Sequence, residues 1–155
     1  MKVRAVVLVA ALVCGLWFTA GCGKEPKVAG RETMLAFFQA CKTKNKDAFL
    51  KVFDAGKIAD AAVKVAQAEA KKRGFPMLGD VMNGMRYDLT NFPEKIFFSS
   101  PTASWDKAVE TLVIKEDPSD STRVRAHFST GFKNMVYTIE LREKDWIIVA
   151  VKVDK

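Results

Sequence analysis

Apolar residues recur every three or four positions from Glu32 onwards, which is the spacing of one face of an α-helix. The first such face consists of Met34, Phe37, Phe38 and Cys41. A second, short amphipathic segment covers residues 48–53, and the strongest covers residues 55–73, where a polar stripe lies opposite a broad apolar face. The pattern therefore predicts three helices in the first half of the chain.

Residues 75–104 follow a less regular pattern. Pro76 is suited to the first turn of a helix, and Gly79 and Gly84 weaken the short helix that would follow it. After Pro93 the pattern favours a strand at residues 95–99.

The last third of the chain alternates between apolar and polar residues, as in strands with one buried face. Strands are predicted within residues 107–116, 122–130, 135–142 and 146–153. In the second strand Val124, Ala126 and Phe128 share one face, and in the third strand one face consists of Met135, Tyr137, Ile139 and Leu141. Three or four antiparallel strands joined by hairpins and preceded by helices predict an α+β domain.

Residues 1–21 have the layout of a secretory signal peptide. Lys2 and Arg4 precede an apolar run at residues 5–18, and small residues follow it. This run is shorter than the roughly 20 residues that a membrane-spanning helix needs. We therefore expect export; a retained membrane helix is the less favoured alternative.

The end of this segment, Thr19-Ala20-Gly21-Cys22, resembles the bacterial lipobox. Cys14 is a weaker candidate because bulky Leu12 and Val13 precede it. The resemblance implies a diacylglycerol on the Cys22 thiol, cleavage just before Cys22 and acylation of the new amine. An ordinary signal peptide with an incidental cysteine is the alternative.

Residue 23 is glycine and not the aspartate that usually marks inner-membrane retention in lipoproteins. The lipobox resemblance therefore implies the outer membrane, or the cell membrane if the source has only one. Residues 22–31 are polar, contain Pro26 and are expected to form a lipidated tether. A single α+β domain is expected over residues 32–155.

The composition agrees with a folded domain: apolar residues make up 49% of the chain, as in globular proteins. The formal charge is +7, from 25 Lys and Arg against 18 Asp and Glu. Basic residues do not cluster around aromatic ones, and the export signal disfavours nucleic acid as a partner. The predicted partners are the membrane, through Cys22, and an apolar small molecule or an envelope protein.

Two stretches resemble small NTF2-like bacterial lipoproteins. Near the start these are Met34-Leu-Ala-Phe-Phe-Gln-Ala and Asn45-Lys-Asp-Ala-Phe-Leu, and near the end Asp145-Trp146-Ile-Ile-Val. The resemblance extends over residues 32–153 and implies a curved sheet wrapped by helices into a cone, often with a cavity. Because this family includes both enzymes and binding modules, the fold alone does not decide the function.

NTF2-like enzymes place a carboxylate or a His–Asp pair in the cone, and the resemblance offers Asp54, Tyr87, Asp88 and His127. His127 lies on the polar side of its strand, and neither Ser99 nor Ser129 has an evident base. The sequence therefore favours a non-enzymatic binding module. The alternative is a small-molecule enzyme, similar to an isomerase or dehydratase, with its site in the cone.

Sulfur-containing side chains raise the question of a Cu(I) site. The candidate ligands are Met77, Met82, Met85, Met135, Cys41 and His127. The first three methionines follow a helical spacing among apolar residues, so core packing is the favoured role, and we predict no metal and no cofactor. Cys41 is expected to be buried as a small apolar residue, with intermolecular pairing or metal binding as alternatives.

If a ligand binds in the cone, the irregular segment is expected to line its mouth. The predicted lining residues are Met77, Met82, Met85, Phe92, Phe97 and Phe98, with Tyr137 on the opposite wall. Flexible methionines and aromatic rings suit an adaptable apolar cleft. The alternative is that these residues simply complete the core.

Overall fold

The computed structural model describes residues 24–75 and 77–154, and it has the predicted α+β architecture of helices followed by an antiparallel sheet. The helices are α1 (Pro26–Thr43), α2 (Lys46–Val52), α3 (Ala55–Lys72), α4 (Gly79–Asn91), α5 (Glu94–Phe97) and α6 (Thr102–Thr111). The strands are β1 (Val113–Asp117), β2 (Asp120–Ser129), β3 (Asn134–Arg142) and β4 (Asp145–Asp154). The predicted signal peptide and Cys22 lie outside the described residues.

The curved sheet is a meander in the order β1-β2-β3-β4, with every neighbouring pair antiparallel. Irregularities in register between Glu116 and Asp117 and between Thr138 and Ile139 interrupt the ladders. Such irregularities bend strands and increase their twist. The short turns match those expected from the sequence.

The inner face of the sheet forms the core together with α1. Val124, Ala126 and Phe128 on β2 are buried, as predicted, and so are Tyr137 and Ile139 on β3. The predicted face of α1 is buried as well: Met34, Phe37, Phe38 and Cys41. Arg123, Arg125 and His127 lie on the opposite, outer face.

Gly30 marks the closest approach between α1 and the sheet. A Cβ atom at this position would lie 2.5 Å from Cγ2 of Val124 on β2. Glycine therefore allows the helix backbone to lie directly against the strand.

The helix boundaries correct three sequence predictions. Residues 26–31, expected in the tether, form the first turns of α1, where Ala29 and Gly30 are buried. Residues 95–99 are not a strand, because the chain turns into α5 directly after Pro93. Residues 107–111, expected to begin the first strand, belong to α6, which buries Ser104, Trp105 and Ala108 on one face.

Helices α3 and α4 form a helical arm at one side of the domain. The first half of α3 packs against β4 through Ile58, Ala59 and Val63, and α4 packs against α3. Arg86 Nε lies 2.9 Å from Asp60 Oδ1 and joins the two helices. Helix α4 has no buried residue, so its outward surface is left uncovered by the described part of the chain.

Candidate functional site

A cluster of aromatic rings fills the space between α1 and the sheet. The ring centroids that lie 5.5–5.9 Å from that of Phe37 belong to Phe38, Phe49, Phe53, Phe97, Trp105 and Tyr137. Tyr137 is fully buried there, and burial raises the pKa of its hydroxyl. We call this set the Phe37 cluster; it occupies the position where the NTF2-like resemblance implies a cavity.

The structure separates the predicted ligand-lining residues into two groups. Tyr137 and Phe97 belong to the Phe37 cluster, and the half-buried Phe98 contacts Phe49 at 5.6 Å between ring centroids. The other four residues lie on or next to the helical arm: Met77, Met82, Met85 and Phe92. The two groups therefore do not line one common cavity.

Met85 and Phe92 come together in a surface groove of about 630 Å³ along α4 and α5. Its lining residues are Val81, Met85, Asp88, Leu89, Phe92, Lys95 and Ile96. Val81 and Ile96 are 54% and 52% exposed. We call this feature the arm groove; Met82 is half-buried outside it, and Met77 lines a separate shallow depression next to Lys71.

The sequence builds the arm groove through the helical spacing of α4. Val81, Met85 and Leu89 are four residues apart and therefore share one face. Lys95 places its ammonium 4.1 Å from the centroid of the Phe92 ring, which positions α5 beside the end of α4. The result is an apolar strip with one carboxylate and one ammonium at its margin.

The residues that the NTF2-like resemblance offered for catalysis lie on different elements: before α3, on α4 and on β2. Asp54 caps α3 by accepting a hydrogen bond from the Lys57 amide and also binds Arg142. Tyr87 and Asp88 are exposed on α4. His127 is half-buried on the outer face of β2; this partial burial, together with Lys115, lowers its pKa, while Asp154 opposes the shift.

The two serines are bound to nearby backbone. The Ser99 hydroxyl donates to the Ile96 carbonyl at 2.8 Å, and the Ser129 hydroxyl accepts from the Gly131 amide at 3.2 Å. Neither bond involves a side chain that could remove the hydroxyl proton.

Cys41 is buried in the core, as the sequence predicted. Burial raises the pKa of its thiol to about 12, so the reactive thiolate is suppressed at neutral pH. Among residues 24–75 and 77–154 there is no group of three or more His, Cys, Asp or Glu side chains arranged to hold a metal ion.

A second surface feature, which sequence reasoning missed, is a cleft of about 860 Å³ at the start of α1. Its apolar lining consists of Pro26, Ala29, Val52, Leu141 and Trp146, and its charged lining consists of Lys24, Lys51, Lys144, Glu32, Glu143 and Asp145. We call it the N-terminal cleft. It combines residues from α1, α2 and the β3–β4 turn, which are far apart in the chain and show no common motif.

Thr33 holds the two sides of the N-terminal cleft together. Its hydroxyl lies 3.0 Å from the Ala29 carbonyl within α1 and 3.3 Å from the Trp146 carbonyl on β4. The start of α1 is thus fixed to the strand that carries the half-buried Trp146.

No family model, curated protein or solved structure matches the chain. Over the residues that the structure describes, no helix is both long enough and apolar enough to cross a bilayer. The two surface features, the arm groove and the N-terminal cleft, share no lining residue. They are therefore separate candidate binding surfaces.

Proposed function

We propose that the protein is a lipid-anchored, NTF2-like lipoprotein of the bacterial cell envelope, acylated at Cys22. In this proposal the domain is non-enzymatic and uses the arm groove to bind an envelope partner protein. The anchor rests on the sequence Thr19-Ala20-Gly21-Cys22, and the glycine at position 23 favours the outer membrane. Lipid chains on one cysteine satisfy the need for more than one hydrophobic anchor.

The uncovered apolar face of α4 is the observation that carries the proposed binding function. Helix α4 presents Val81, Met85 and Leu89 on one side, yet none of its residues is buried. Leu78, the residue that directly precedes this helix, is 73% exposed. Contiguous exposed apolar surface on a soluble domain usually marks an interaction site.

The shape of the groove favours a protein over a small molecule. Sites for small ligands bury most of the ligand surface, whereas this groove is open enough to leave Val81 and Ile96 more than half exposed. An amphipathic helix could lie along such a groove with its apolar face inward. Asp88 and Lys95 at the margin would then pair with opposite charges on that helix.

The separate positions of the candidate catalytic residues support a non-enzymatic domain. Asp54 is engaged in capping and ion pairing, and His127 lies on the outer face of the sheet. In place of a cone cavity the interior holds the Phe37 cluster.

The experiment is a comparison of two single substitutions in the full-length protein, expressed in its native envelope. Met85→Asp places a charge in the arm groove, and Phe132→Asp places one at a residue that is 83% exposed on the β2–β3 turn. A partner that is cross-linked to the wild type and identified by mass spectrometry should be lost from Met85→Asp and retained by Phe132→Asp. Both variants should keep the wild-type circular dichroism spectrum.

Retention of the partner by Met85→Asp would contradict the assigned surface, as would its loss from both variants. The anchor is tested separately by the mass of the N-terminal peptide. An N-terminus at Cys22 with acyl groups is expected, and a different mature N-terminus would contradict the lipoprotein assignment.

A further inference from the structure

We infer that the N-terminal cleft is the membrane-facing surface of the domain and that it receives zwitterionic phospholipid headgroups of the bilayer that holds the anchor. This inference rests on the proposed anchoring at Cys22 and extends it. It assigns the orientation of the domain and the chemistry of the surface that contacts the lipid.

The first argument is the short reach of the chain. Helix α1 begins at Pro26, four residues after Cys22, and Lys24 in the cleft lining is only two residues after it. Two extended residues span at most about 7 Å. The headgroup layer on each side of the hydrocarbon core is itself about 5–8 Å thick. Lipid on Cys22 would therefore hold the cleft next to the headgroups.

The second argument is the balance of charge in the cleft. Its lining includes three lysines and three acidic residues, so it has no net charge to attract simple anions. A zwitterionic headgroup carries a phosphate and an ammonium close together. Lys51 and Lys144 can bind the phosphate, while Glu143 and Asp145 can bind the ammonium.

The third argument is the apolar lining between these charges. Trp146 and Leu141 line the cleft beside Lys144 and Asp145. Tryptophan is enriched at membrane interfaces, where its ring lies among the headgroups and its N–H keeps a polar partner. The cleft volume, about 860 Å³, is within the usual range for sites that take a small ligand.

Tryptophan fluorescence tests this orientation directly. After removal of residues 1–21 the chain keeps two tryptophans, Trp105 in the core and Trp146 in the cleft. The protein is placed on vesicles of phosphatidylethanolamine and phosphatidylcholine whose acyl chains are brominated near the headgroup. We expect quenching and a blue shift for the wild type, and neither for Trp146→Phe, in which only the buried Trp105 emits.

A double variant tests the charged lining. Lys51→Gln with Lys144→Gln should reduce the quenching, whereas Lys64→Gln with Lys133→Gln should leave it unchanged. Lys64 and Lys133 are exposed lysines outside the cleft lining, so they control for the loss of positive charge. Adding phosphatidylglycerol or salt should not change the wild-type result, because the cleft lining is neutral overall.

The protein can also be attached to the vesicles without natural acylation. A chain that begins at Cys22 is coupled through that thiol to a maleimide lipid, while the buried Cys41 does not react. If natural acylation is absent but the coupled protein is quenched, the anchor proposal fails and the orientation stands. Equal quenching of wild type and Trp146→Phe would overturn the inference, as would quenching that requires anionic lipid and disappears in salt.

Discussion

Arg142 on β3 donates a hydrogen bond to Asp54, the residue that caps α3, with 2.5 Å between Nη1 and Oδ2. The other carboxylate oxygen of Asp54 accepts from the Lys57 amide at 2.9 Å. The Asp54 amide in turn donates to the Ile148 carbonyl of β4 at 2.9 Å. One residue therefore fixes the start of the helical arm to two strands of the sheet.

Two substitutions at Asp54 should distinguish the stability contribution of the helix cap from that of the ion pair with Arg142. Asparagine also caps helices, so Asp54→Asn removes mainly the pairing with Arg142 and should lower the free energy of unfolding by about 0.5–1 kcal/mol. Asp54→Ala removes the cap as well and should cost about 1 kcal/mol more. Urea unfolding at pH 7 measures both values, and equal stability of the two variants would contradict the capping role.

The same residue predicts a pH dependence. Partial burial alone would raise the pKa of Asp54, but the hydrogen bonds from the Lys57 amide and from Arg142 outweigh it and hold the pKa below its ordinary value. A lowered folded-state pKa stabilises the fold above the unfolded pKa of about 3.9, and this contribution is lost as the pH falls through the folded-state pKa. The stability difference between wild type and Asp54→Asn should therefore shrink below about pH 4. A difference that stays constant down to pH 2 would argue against the pairing.

Two glycine-to-alanine substitutions should have opposite effects. At Gly30 the new methyl group would clash with Val124, so Gly30→Ala should destabilise the protein by about 1–3 kcal/mol despite the better helix propensity of alanine. At Gly84 in α4 nothing lies within 4 Å of an added Cβ. Gly84→Ala should therefore stabilise the protein by about 0.5–1 kcal/mol. Thermal unfolding should show a lower Tm for Gly30→Ala and a higher Tm for Gly84→Ala than for the wild type.

Cys41 should be unreactive in the folded protein. Its pKa of about 12 and its burial both suppress attack on a maleimide at pH 7. In a Cys22→Ser chain that begins at residue 22, Cys41 is the only thiol, so labelling followed by mass spectrometry reports on it alone. Slow labelling in buffer and complete labelling in guanidinium are expected; rapid labelling in buffer would show that the thiol is accessible.

Phe37 should be among the most sensitive core positions. Phe37→Ala removes a ring that contacts six others and should cost about 3–5 kcal/mol. Phe132→Ala provides the matched control, because that ring is 83% exposed. The urea midpoint of Phe37→Ala should be far below that of Phe132→Ala. Similar midpoints for the two variants would contradict the central role of Phe37.

The sequence predicted the elements whose packing follows a regular period. Val124, Ala126 and Phe128 alternate along β2, and the side chains of α1 repeat at helical spacing, so their buried faces were evident. The first turns of α1 were missed because Pro26 and Gly30 look like linker residues, although Gly30 is needed for close packing on Val124. The requirement for glycine at position 30 arises from its contact with Val124, which is 94 positions away in the sequence.

Long-range contacts also explain why the full extent of α6 and the N-terminal cleft were not predicted from the sequence. The run Thr111-Leu-Val-Ile favours a strand over the whole segment, but Trp105 and Ala108 bury one face of α6 against the core, and the helix continues to Thr111. The N-terminal cleft combines Lys24, Lys51 and Trp146, whose proximity depends on how α1 meets the β3–β4 turn. By contrast, the exposed face of α4 arises from local helical spacing, so Met85 and Phe92 could be grouped from the sequence.

The make-up of the Phe37 cluster constrains the order in which the protein can fold. Each strand of the sheet pairs with its neighbour in sequence, so the hairpins can close locally. The cluster, however, joins Phe37 near the start of the domain to Tyr137 near its end. During synthesis from the N-terminus, α1 has no complete surface on which to bury its apolar face until β3 has emerged. The helical first two thirds of the domain therefore remain loosely packed until synthesis is almost complete. The domain then gains its stable structure in one late step.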